Sequence, residues 1–165
     1  MFSFLNPFRM YGLAGDVAEF LVDNLIRDKV TPRPGSVVYC GLLNNLVEHS
    51  GICVGPDRIV HLDGSGRIEV VDPDGFLGRL GGFNQALTIY VSSRDGQAAG
   101  NDQAGRRAAS MIGKSRSYNV ILDNCHQFSA GCLTGEFDNS DNFLWMLKDR
   151  TRKVLGADEW RAWDR

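Results

Sequence analysis

Three side chains in this sequence have the types and surroundings for nucleophilic acyl transfer: Cys125, His49 and His61. Cys125 follows Asn124 at the start of a segment, CHQFSAGCL, that reads as a helix capped by Asp123 or Asn124 and stopped by Gly135. A cysteine at a helix N-terminus faces unpaired backbone N–H groups and the positive end of the helix dipole, so a lowered thiol pKa is expected. The same amides, beginning with that of Cys125, suit an oxyanion developing on an attacked carbonyl. His49 and His61 lie in consecutive β-type runs separated by a tight turn, so their side chains can meet. His49 facing the thiol would act as base, with His61 holding its ring in the working tautomer. His126 is the alternative imidazole. Adjacent helical residues point about 100° apart, so His126 is expected to be an exposed or capping side chain rather than the partner of the thiol. Cys40, Cys53 and Cys132 read as core thiols.

The elements that must position these groups follow from periodicity. Leu13, Val17, Phe20, Leu21 and Leu25 recur at helical spacing and predict an amphipathic helix between Tyr11 and Val30. After the break TPRPG the pattern changes to short β-rich runs: Ser36–Cys40, Ser50–Val54, Arg58–Leu62, Arg67–Val71 and Ala86–Val91. Turns at Gly55–Asp57 and Asp63–Gly66 are short enough to make neighbours antiparallel. A helix weakened by Gly100 and Gly105 is expected within Gly96–Gly113. The tail from Asp141, with Leu144, Leu147, Val154, Trp160 and Trp163, reads as one or two further helices. The fold class is therefore α+β, a small antiparallel β-sheet packed against helices. Its expected divisions are an N-terminal helix over 1–31, a catalytic domain over 32–135 and a helical tail over 136–165.

Composition bounds the function classes. The 165 residues are 43% hydrophobic and 23% charged, enough for one domain with a real core. Eighteen Lys and Arg against 20 Asp and Glu leave a net charge of -2, which argues against a non-specific nucleic-acid partner. No apolar run is long enough to span a bilayer, and the start MFSFLNPFRM lacks the order of a secretory signal. A cytoplasmic location with four free thiols is expected. No cysteine or histidine pair has the short spacing of structural zinc sites, and no cofactor is called for.

The runs PRPGSVVYC, EHSGICVG, RIVHLDG and LDNCHQF together resemble the lecithin retinol acyltransferase-like family, a circularly permuted branch of the NlpC-type papain-like fold. Papain relatives place Cys before His; here both histidines precede the cysteine. The resemblance spans Pro32 to Leu133. It implies Cys125 as nucleophile, His49 as base and His61 as orienting residue. Two departures stand out: the family's usual Asn-Cys-Glu-His-Phe is here Asn124, Cys125, His126, Gln127 and Phe128, and Glu48 occupies a position often basic. A carboxylate close to His49 would favour its imidazolium.

The resemblance implies phospholipase A or acyltransferase activity, with an acyl thioester on Cys125 and an acyl-bearing substrate, a lipid ester foremost. Phe2, Phe4, Leu5 and Phe8, the helix from Tyr11 and the basic, aromatic tail could supply peripheral membrane contact. Animal members often end in a hydrophobic anchor, and no such stretch is present. Two other readings stay open: a cysteine peptidase or amidase of NlpC type, and a non-catalytic interaction or lipid-binding module.

Overall fold

The computed structural model describes residues 29–42, 47–78, 88–117, 119 and 124–165. The expected aromatic start and N-terminal helix lie outside these, except Lys29 and Val30. Those two form strand β1 (Lys29–Val30). The chain continues through β2 (Val37–Leu42), β3 (Val47–Gly55), β4 (Arg58–Leu62), β5 (Ile68–Val71), helix α1 (Pro73–Leu77), β6 (Tyr90–Arg94), β7 (Gln97–Ala98), α2 (Asp102–Met111), α3 (Cys125–Thr134), α4 (Leu144–Leu155) and β8 (Glu159–Trp163). The eight strands make one sheet in the order β1-β8-β6-β2-β3-β4-β5, with β7 paired to β6. Every pair is antiparallel except β1 with β8. The architecture is α+β as expected, with a mixed sheet larger than the meander alone.

The meander β2-β3-β4-β5 follows the predicted runs and fixes the two histidines. Cys40 pairs with His49 and His61 pairs with Glu69. The β4–β5 turn is closed by Asp63, whose Oδ1 accepts from the Ser65 amide at 2.8 Å, the Ser65 hydroxyl at 2.7 Å and the Arg67 amide at 2.9 Å. Burial disfavours that carboxylate, yet these donors outweigh it and hold its pKa at about 2.

Side chains alternate across the sheet and divide the core in two. On one face Val37, Ile52, Val60, Leu62 and Ile68 pack with α2, α3 and α4. On the other Val38, Cys40, Ile59 and Val91 pack with Phe76, Leu77 and Trp163. Helix α3 is buried from Cys125 to Leu133, which is why its sequence shows no amphipathic stripe. Asn124 caps it, accepting from the amides of His126 at 2.9 Å and Gln127 at 3.2 Å, and Gly135 ends it with φ 87°. At its other end Arg107 donates to the carbonyls of Cys132 and Leu133 at 3.1 and 3.0 Å, putting a cation where the dipole is negative.

Four expectations need correction. The helix expected from Gly96 begins only at Asp102, because Asp95 and Gly96, with φ 52° and 74°, turn β6 back into β7 as a hairpin. Gly105 is less a weak point than a contact surface: a Cβ there would stand 3.1 Å from the Gly35 amide nitrogen, where α2 meets the Pro34–Gly35 turn. The tail is not wholly helical. Gly156, at φ 65°, stops α4, and Trp160 and Trp163 lie in β8 between β6 and β1, where aromatic residues suit the pleated surface. Finally, β6 begins at Tyr90, so of the expected run Ala86–Val91 only Tyr90 and Val91 are strand, and 86–87 lie outside the described residues.

Candidate active site

The two predicted histidines meet. His49 Nε2 and His61 Nδ1 are 2.9 Å apart, with the rings edge-on at 4.9 Å between centroids. His61 is fully buried, and its Nε2 stands 3.5 Å from Glu69 Oε1 on β5. Phe76 of α1 walls the pair, 4.9 Å from the His49 ring and 5.8 Å from that of His61. Helix α1 exists because Asp72 caps it, accepting from the Gly75 amide at 2.7 Å, and because Pro73 takes the first turn, where no N–H is needed.

Cys125 is 3% exposed and lies against the β3 main chain on both sides of His49. Its Sγ is 4.0 Å from the Glu48 carbonyl oxygen, and the Ser50 amide and hydroxyl approach it as hydrogen-bond donors. The Cys40 thiol, opposite His49 in register, is pushed up to about 12 by burial and then by the charge of Cys125, so the two sulfurs share one neighbourhood. Glu48 itself turns its side chain outward and faces Lys148 electrostatically. All four cysteines are free.

The expected lowering of the Cys125 pKa is reversed. Burial pushes the thiol up and outweighs the donors that favour its thiolate, which are Ser50 and the amides of Cys125 and His126. A helix N-terminus favours an anion by at most about 2 kcal/mol, whereas full desolvation of an ionised group costs more. Such a thiol needs a base at the moment of attack. The amides of His126 and Gln127 also donate to the Asn124 side chain, which leaves the Cys125 amide as the one of the first three helical amides with no claim from the cap.

His126 is neither exposed nor a cap. It is 6% exposed, its Nδ1 lies 2.9 Å from Ser50 Oγ and 4.0 Å from Cys125 Sγ, and Ser50 Oγ is 3.1 Å from Ser129 Oγ. Burial lowers its pKa to about 4. Sequence reasoning passed over this polar cluster, along with Phe76 and Glu69. Signals existed: Ser50 occupies a core-facing position among Ile52 and Val54, Glu69 interrupts an apolar strand eight residues after His61, and Asp72–Pro73 is a helix-start pair.

Among the described residues no group of three His, Cys, Asp or Glu could hold a metal ion, and no helix is long and apolar enough to cross a membrane. Two surface clefts lie beside Asp72–Asp74 and beside Ile89 and Trp163; Cys125 lines neither.

A helix that begins at Cys125, laid on a sheet that supplies two histidines earlier in the chain, defines an α+β architecture consistent with a papain-like fold. The family model for lecithin retinol acyltransferase matches residues 30–138, well over half of the chain, and the protein belongs to that family. The family is one of cysteine-dependent acyltransferases and phospholipases. A comparison with curated proteins returned no match.

Proposed function

We propose that this protein transfers or hydrolyses an acyl group through a thioester on Cys125, with a lipid ester as donor. The observation that carries the reading is the His49–His61 pair at 2.9 Å, with His49 on the strand whose main chain lies against the Cys125 sulfur. The bond to His61 uses Nε2 of His49, so Nδ1 is the nitrogen that takes the proton. Sγ–H gives its proton to Nδ1 as the sulfur attacks the ester carbonyl, and the new oxyanion is met by the Cys125 amide. Collapse breaks the acyl carbon–oxygen bond, and the imidazolium returns its proton to the departing alkoxide. Water, an alcohol or an amine then attacks the thioester, losing its proton to His49, and the thiol is restored. His61 fixes the ring, and Glu69 at 3.5 Å supports the positive charge that passes through the pair.

The test is intact-mass analysis after incubation with mixed phospholipid vesicles, with Cys125→Ala as control. A fatty-acyl adduct on the wild type and none on the variant supports the reading. Cleavage of a peptide panel with no lipid adduct would replace it with an NlpC-type peptidase or amidase. Silence in both assays would leave a binding module.

A further inference from the structure

We infer that Ser50 donates a hydroxyl hydrogen bond to the Cys125 sulfur as it becomes anionic, and that His126 is the positioning residue that aims it. The inference deepens the reading of Cys125 as nucleophile and rests on it.

A serine hydroxyl has one proton and two lone pairs. Ser50 Oγ has His126 Nδ1 at 2.9 Å and Ser129 Oγ at 3.1 Å, and it also approaches Cys125 Sγ. All four residues are buried, Ser50 and Ser129 completely. When His126 carries its proton on Nδ1 and Ser129 donates as well, both lone pairs of Ser50 are filled. Its proton is then left for the sulfur. The opposite tautomer would draw the Ser50 proton to His126 and leave the sulfur without it.

Burial keeps His126 neutral, with a pKa of about 4, so its ring is a fixed dipole over the working range rather than a charge. A base that weak is poorly matched to a thiol that burial has raised, which is why His126 at 4.0 Å positions rather than accepts the proton. The titratable groups around the sulfur are Cys40 of β2, Glu48 and His49 of β3 and His126 of α3, with Lys148 of α4 beyond Glu48. None of the others bonds Ser50 among the described contacts.

The experiment measures the rate at which iodoacetamide alkylates Cys125 in the full chain at pH 7, resolved by peptide mass spectrometry. The direction is diagnostic. Loss of a donor to the thiolate slows alkylation, whereas a cavity that merely loosened the packing would admit reagent and speed it. Ser50→Ala should slow alkylation about tenfold, the size of one charge-assisted hydrogen bond, and Ser50→Thr should restore it. His126→Leu should slow it similarly, with His126→Asn, whose amide nitrogen can sit near the Nδ1 position, restoring most of the rate. The double variant Ser50→Ala, His126→Leu should be no slower than the worse single one, because the two act as a unit. Unchanged or faster alkylation in Ser50→Ala overturns the inference. A slow Ser50→Ala beside an unchanged His126→Leu removes the part assigned to His126. Alkylation needs no acyl donor, so a failed vesicle assay sinks the proposed function without deciding this, and the reverse holds equally.

Discussion

The molecule holds two buried imidazole sites beside the stretch of β3 that packs on Cys125, and they are wired differently. On the α1 side of β3, His49 bonds His61, which faces the Glu69 carboxylate, and Phe76 packs tilted against the first ring and edge-on to the second. On the α3 side, His126 has a serine hydroxyl for its partner, and burial alone sets its pKa. A positive charge formed on His49 can be shared along a chain that ends in a carboxylate. One formed on His126 would meet the Ser50 hydroxyl and the Cys125 sulfur, with no carboxylate among its described contacts. On the proposed mechanism the same residue type would serve proton transfer in one place and fixed orientation in the other, and the difference lies in the second neighbour rather than the first.

The contrast can be broken or sharpened by experiment. The largest effect expected is on stability in acid. His126 titrates near 6.5 when unfolded and at about 4 when folded, a depressed pKa. Above pH 6.5 both states are neutral and its contribution is fully present. As pH falls from 6.5 to 4 the unfolded chain takes up a proton that the folded one refuses, and about 3 kcal/mol is lost. Urea unfolding of wild type and His126→Asn across that window should show the loss in the first and not the second; equal slopes would mean that His126 is not held neutral. Next comes His61→Ala, which should slow acyl-enzyme formation about tenfold, less than loss of the base itself, because an orienting group is removed. A variant as slow as one lacking the base would make His61 a direct participant. The smallest effect is Phe76→Leu, which keeps an apolar wall but loses tilted and edge-on ring contacts worth about 1 kcal/mol. A few-fold fall in kcat with KM unchanged is expected, and a selective rise in KM would place Phe76 at the substrate instead.

Much of this was legible from local signals. The start of α3 could be read because Asn124 and Gly135 are a cap and a stop that act through their own backbone neighbours, and the histidine pairing followed from one tight turn and period-two alternation. What escaped depends on the tertiary neighbourhood. Nothing local says that α3 is buried on every side, so His126 looked exposed and Cys125 looked like a thiol helped by a helix terminus, when desolvation wins. The tail strand β8 exists only because β6 offers it an edge, and its tryptophans carry no period that distinguishes strand from helix over five residues. The Asp95–Gly96 hairpin was readable in principle, since both residues are those that accept positive φ.

In the proposed mechanism His49, and not His126, takes the proton from Cys125. Single-turnover formation of the acyl enzyme from a short-chain ester, followed by intact mass for His49→Ala and His126→Asn side by side, tests this most directly. The expected result is a loss of at least about a hundredfold for His49→Ala and a near-normal rate for His126→Asn. Near-normal acylation by His49→Ala, with His126→Asn dead, would contradict it and move the base to the other face of the strand.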